Sequence, residues 1–432
     1  MATHDFEIDN STGANVRTDI NNVLKAIFTN NGGATDPSTV KSSNVGSGQF
    51  SFWPDTNTSI FKLRNSADDA WINLFSLTGG PAFAVDGTVN SINIGKGANS
   101  VAGNTVLGEG ALDAAVSGGS NTAIGKNALT SHTSGVNCVA VGLGSLGSNT
   151  TASNNTAVGK DALATVSTGT SNTGVGTNAL ANSTADNNTA VGKDALLSNV
   201  GGTQNVSIGS LSLDANTDGS FNVGVGHQSL TGNIGGDQNT GVGYYALATN
   251  TSGDYNTAVG SQALGLATTA TGNTAVGLLA CGANTTGELN VSVGRGALQT
   301  NTTTNKNTAI GTYTLNTFNL TDGSDTYNTA VGYAACQNVS SGGFNTAVGG
   351  LCLDACTTAS FNVAMGYAAL STSTTGTRNV GIGYHALSIV DTNSDNTAVG
   401  YDCFDINTAA KNTGVGSYAG ALNTTGENNT FI

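Results

Sequence analysis

Proline, charge and long apolar runs are all scarce in this chain of 432 residues. There are 3 Pro, and charged residues make up 9%. Disordered chains are usually rich in charge and proline and poor in Val, Ile and Leu. Here the aliphatic residues are spread evenly, so an ordered, polar-surfaced β architecture is expected. No stretch approaches the ~20 apolar residues that a membrane-spanning helix needs, and membrane insertion is not expected. Basic residues are outnumbered: 13 Lys and Arg stand against 27 Asp and Glu, a net charge of −14. That leaves no basic footprint for nucleic acid. Beyond residue 80 the cations stand singly, which also argues against an anionic membrane partner. The opening "MATHDFEIDNSTGANVR" lacks the charged-then-apolar layout of a signal peptide, so synthesis in a cytoplasm without general secretory export is expected.

Catalytic and metal-binding patterns are scarce as well. Of six cysteines, Cys352 and Cys356 form a close pair in "LCLDAC", but no second pair completes a zinc spacing. Buried free cysteine behaves as a small hydrophobe. Cys281 and Cys336 stand where a repeat usually carries Leu, and Cys352 and Cys403 where it carries Ala, so core slots are expected. A sugar hydrolase would need two carboxylates across a groove; the acidic residues, such as Asp161 and Asp194, fall in turns. His4, His132, His227 and His385 show no metal or triad spacing. Strings resembling "GVGVG" lack the strand–loop–helix context of a dinucleotide fingerprint. No enzyme activity, cofactor or metal is expected.

What the chain has in abundance is glycine, 61 residues, and repetition. "NTAVGKDAL" occurs at residues 155–163 and again at 188–196. The motif N-[TV]-[AGS]-[VI]-G recurs with its Gly at 108, 125, 142, 159, 176, 192 and so on to 416. The step is 17 residues, shortened to 16 twice and lengthened to 21 once, between Gly311 and Gly332. A fixed period of this kind marks a solenoid of stacked coils. The expected fold is therefore an all-β β-helix or β-roll solenoid of about 20 coils. Three regions follow: 1–80 as an N-terminal attachment module, 81–103 as a transition, and 104–432 as the shaft.

Numbering each repeat from its Asn, "NTAV" reads as a short strand. Its second and fourth places, β-branched, are expected to point inward. The small third place then faces outward, and that suggests close approach of another chain. Gly at the fifth place and again near the fifteenth would supply corners. The Asn columns are expected to form hydrogen-bonded ladders. An ice-binding solenoid would also display Thr ranks, but Thr at an inward second place speaks against it. At one strand spacing per coil the shaft would be roughly 95 Å long.

Residues 1–80 do not repeat. Val16, Ile20, Leu24, Ile27 and Phe28 are spaced for a helix, and "FSFW", "SIFKLR" and "AWINLF" for a three-stranded meander. This small α+β module carries the candidate docking residues Leu24, Phe28, Phe52, Trp53 and Trp71. In later coils the sixth place becomes Tyr: Tyr244, Tyr333, Tyr367, Tyr384 and Tyr401. Stacked a period apart they would form either a structural aromatic ladder or contacts for a host surface glycan.

The N-A-[VI]-G repeats resemble the head repeats of trimeric autotransporter adhesins, though the period here is longer. Together with "NSTGANVRTDINNVLKAIFTNNGG" and "FWPDTNTSIFKLRNSADDAWINLF", they more closely resemble fibre proteins of tailed phages, especially marine ones. That resemblance implies a homotrimeric virion fibre. Its N-terminal module would dock on a tail or baseplate protein and its shaft would mediate host attachment; a capsid fibre and a bacterial surface adhesin or extracellular filament are the alternatives. The repeat phase stops mid-coil at Ile432, which suggests processing, truncation or a cap supplied by another chain.

Overall fold

The structure, a computed structural model, describes residues 87–432 and, before them, three strands: β1 (Phe52–Asp55), β2 (Ile60–Arg64) and β3 (Trp71–Ser76). These three pair antiparallel in chain order. Phe52 and Trp53 lie on β1 and Trp71 opens β3. The helix expected around 16–28, with Leu24 and Phe28, falls outside the described residues.

A hairpin starts the second sheet. Strands β4 (Gly87–Val89) and β5 (Ile92–Gly95) pair antiparallel across Asn90 and Ser91, whose φ values of 50° and 66° suit a two-residue turn matched to strand twist. β5 pairs antiparallel with β6 (Thr105–Gly108). From β6 the ladder is parallel and strictly sequential: each strand, from Thr122–Ile124 to Thr430–Phe431, pairs with the one before it. The result is a β-solenoid with one short strand per 17-residue coil. The four extra residues between Gly311 and Gly332 do not disturb it, because Thr308–Ile310 and Thr329–Val331 still pair in register.

The strand faces are the reverse of the sequence expectation. The third place is the buried one: Ala157, Ala190, Ala258 and Ala347 are fully buried. The β-branched second and fourth places are half-exposed. The reason is the narrow coil interior. Opposite the strand stand Ala and Leu of the eighth and ninth places, as at Ala162 and Leu163, and only a small residue fits between. A Cβ on third-place Gly174 would lie 3.2 Å from Leu163 Cγ. The small third place therefore reports the coil's own core and not the close approach of another chain. Thr at the second place faces outward, the reverse of the inward direction expected for it.

Backbone conformation carries the corners. The motif Gly has φ near +135°, and an added Cβ would meet the next coil's Gly carbonyl, 2.5 Å away in the case of Gly159 and Gly176. The second glycine, such as Gly202, is required for close approach instead: its Cβ would meet Gly219 O at 2.2 Å. Left-handed corners fall on other residues. Leu of the ninth place has φ of about 50° in coil after coil, as at Leu163 and Leu196. That conformation costs ~1–2 kcal/mol, whereas burying a Leu side chain contributes ~1.5–3 kcal/mol, so burial wins.

Two asparagine columns stitch the coils. First-place Asn accepts the backbone N–H of the next first-place residue through Oδ1, as in Asn172 N to Asn155 Oδ1 at 2.8 Å. Its Nδ2 donates across the coil, as from Asn155 to Gly169 O at 2.7 Å. A second column occupies the twelfth place, where Asn216, Asn233 and Asn250 each donate to the Oδ1 of the preceding coil's Asn at 2.7 Å. Ala267 breaks that column and leaves Asn250 Oδ1 buried without a partner. The residue three places on differs as well. A Cβ at Gly253 would sit 2.6 Å from Asn250 Oδ1, and the next coil carries Ala270 at that place. Changing Ala267→Asn together with Ala270→Gly restores the Asn-x-x-Gly unit. The pair is expected to raise stability by about 1 kcal/mol, seen as a higher melting temperature.

Candidate functional site

The sixth-place tyrosines form the main exposed aromatic feature. Tyr367 stacks on Tyr384 at 5.6 Å between centroids, and Tyr384 on Tyr401 at 5.2 Å, with interplanar angles of 17° and 8°. Tyr418, at the seventh place, closes this run edge-on at 5.5 Å. Tyr244 lies outside it and stacks on His227 one coil earlier at 5.8 Å. Each of these rings has at least one face covered by a neighbouring ring. Tyr333 differs: it is 60% exposed and makes no ring contact among the described residues. The sixth place of the following coil is Gly350, over which the Tyr367 ring leans, 3.6 Å from a built Cβ. The five tyrosines are thus separated into a stacked trio, one His-stacked ring and one with open faces.

A second aromatic column escaped the sequence reading. Tyr327, Phe344 and Phe361 precede the motif Asn in successive coils and stack at 5.6 and 5.0 Å. Lys306 lies below, 5.2 Å from the Tyr327 centroid, and pairs with Asp325. Their 17-residue spacing was the available signal.

One titratable cluster also went unread. His385, Asp402 and Asp405 bring one possible ligand atom each within 4.8 Å of one another. His385 and Asp402 are seventh-place residues one period apart, which sequence shows. Asp405 joins them only because the turn folds the tenth place back beside the seventh. His385 also stacks on Tyr384 at 4.1 Å. The Asp402 charge, with neighbouring tyrosines, pushes the Tyr401 hydroxyl above its ordinary pKa.

The six thiols are free and buried. Cys281, Cys336, Cys352 and Cys403 fill core slots, as their places in the repeat suggested. Cys138 takes a first-place Asn position and donates its backbone N–H to Asn121 Oδ1. Burial pushes Cys281, Cys352 and Cys356 up to about 12. The native chain is expected to resist thiol reagents at neutral pH and to expose all six thiols on unfolding, which a timed Ellman assay checks. The same shift has a stability sign. Unfolded thiols ionise near their ordinary value of 9.0 and native ones near 12, so stability falls as pH rises through that window.

No protein-family model, curated protein or solved structure matches the chain.

Proposed function

We propose that the chain is the shaft-forming subunit of a homotrimeric virion fibre, carried on a phage tail and used for host attachment. The observation that carries the fibre reading is the outward stripe on the parallel ladder. Its second and fourth places are Thr or Val and Val, Ile or Met in every coil from Thr122–Ile124 to Thr413–Val415. Ile208 is 42% exposed and Val259 38%. A continuous aliphatic stripe of this length asks for a cover, and identical copies supply one of the same length and period. The number three and the virion setting come from the family resemblance. Residues Leu24, Phe28, Phe52, Trp53 and Trp71 are assigned to docking on a tail or baseplate protein. Of the five tyrosines, Tyr333 offers open ring faces and is the best placed to stack on a surface sugar. A capsid fibre would use the same shaft with a different docking site, and immunogold labelling with antibody against residues 1–80 separates the two. The outward Thr rank also suits ice, but the aliphatic fourth place favours burial against another copy.

The test is sedimentation equilibrium of the full chain and of a variant carrying Val242→Asp and Val259→Asp. Three times the chain mass of 42.7 kDa is expected for the wild type, and dissociation for the variant. A monomeric wild type refutes the fibre reading.

A further inference from the structure

We propose that His385, Asp402 and Asp405 form a binding site for a first-row divalent cation, zinc above all, that staples two adjacent coils. This inference does not depend on the fibre reading. His385 belongs to the coil that opens at Asn379, and the two carboxylates to the coil that opens at Asn396. His385 Nδ1 lies 3.9 Å from Asp402 Oδ1, too far for a hydrogen bond. The Asp402 side chain is 18% exposed, yet no hydrogen-bond donor reaches its carboxylate among the described residues. Asp405 accepts a hydrogen bond from Ser388 Oγ through Oδ1, which fixes its orientation and leaves Oδ2 free. Two carboxylates are thus held together with a half-buried imidazole and no Lys or Arg ion pair among the described residues.

The donor set selects the ion. Magnesium and calcium take oxygen ligands, whereas imidazole nitrogen with carboxylate oxygen suits zinc and its neighbours. Bonds of ~2.1 Å in a tetrahedral shell set donors about 3.4 Å apart. Loading the ion requires the present separations, up to 4.8 Å, to shorten to that value. Stacking on Tyr384 holds the ring in place while they do so. Three protein ligands leave a fourth position for water.

The site adjoins an irregular coil. The coil opening at Asn396 is one of the two with 16 residues, and Asn396 Nδ2 is buried there without a partner. Its counterparts on either side donate to Asn393 O and Gly426 O. That bracket would close on the side of this coil toward Asn412, whereas the cation would tie its other side to the coil opening at Asn379, where Asn379 makes both of its bonds.

The test is calorimetric titration of the full chain, freed of metal by chelator, with zinc chloride. One zinc per chain is expected, with affinity at least tenfold lower in His385→Gln and in Asp402→Asn. Amide exchange in Val380–Ile382 and Thr397–Val399 is expected to slow on zinc addition. Zinc-edge X-ray absorption of the wild type is expected to show imidazole in the shell, a readout that no variant's folding can confuse. No uptake, unchanged affinity in both variants, or an oxygen-only shell would overturn the proposal.

Discussion

Changing Gly243→Ala is expected to divide the shaft into two blocks that melt separately. Gly243 has φ of +136°, and an alanine Cβ there would lie 2.6 Å from Gly260 O. The neighbour in the way is backbone, already committed to the ladder: Gly260 N–H donates to Val242 O at 2.8 Å. The conformation alone costs ~1–3 kcal/mol for a residue with a side chain, and relieving the contact means prising apart two coils. We expect a total above ~3 kcal/mol, concentrated at one junction because each coil touches only its neighbours. Calorimetry should show one transition becoming two. Gly235→Ala is the matched control. Nothing lies within 4 Å of a Cβ built there, so its melting curve should overlay the wild type. A single unshifted transition for Gly243→Ala would mean that the corner tolerates a side chain.

The second large effect is expected at Asn155→Ala. This change orphans two buried groups: the Asn172 N–H, which loses Oδ1, and the Gly169 carbonyl, which loses Nδ2. At ~1–3 kcal/mol for each buried unsatisfied group, the loss is about 4 kcal/mol. Asn239→Ala removes the equivalent two bonds and a third, from Asn256 Nδ2, but should cost about half as much, because Asn256 Nδ2 keeps Ala270 O. There the cross-coil carbonyl, Gly253 O, keeps a second donor in Asn250 Nδ2 at 2.9 Å, whereas the coil of Asn155 has Val166 in that column. Chemical denaturation of the two variants side by side checks the ranking. Equal losses would show that the second column carries no load.

The period, the strand and the asparagine ladder were legible because each is a one-dimensional property: a spacing, a β-branched run, an identity kept in register. The direction of the strand faces was not. A three-residue strand offers only one alternation, and which face is inside depends on what the far wall supplies. Leu163 and Ala179 supply it across from Gly174, a pairing that spacing alone does not reveal. The same limit separated the tyrosines. Their common sixth place was plain, but the isolation of Tyr333 depends on Gly350 in the next coil and on the lean of Tyr367. For His385, Asp402 and Asp405 the missing knowledge was the path of the turn between the seventh and tenth places.

Because the columns align residue for residue, the coils are interchangeable parts. A duplicated or deleted 17-residue unit presents the same Asn, Gly and Leu positions to whatever lies above and below it. Genes for such a chain can therefore lengthen or shorten by unequal recombination between copies as alike as residues 155–163 and 188–196. Each event would change the reach of the product by one strand spacing, ~4.8 Å, and leave the fold unaltered. Reach becomes a trait that varies in small equal steps, open to selection by the distance to be bridged.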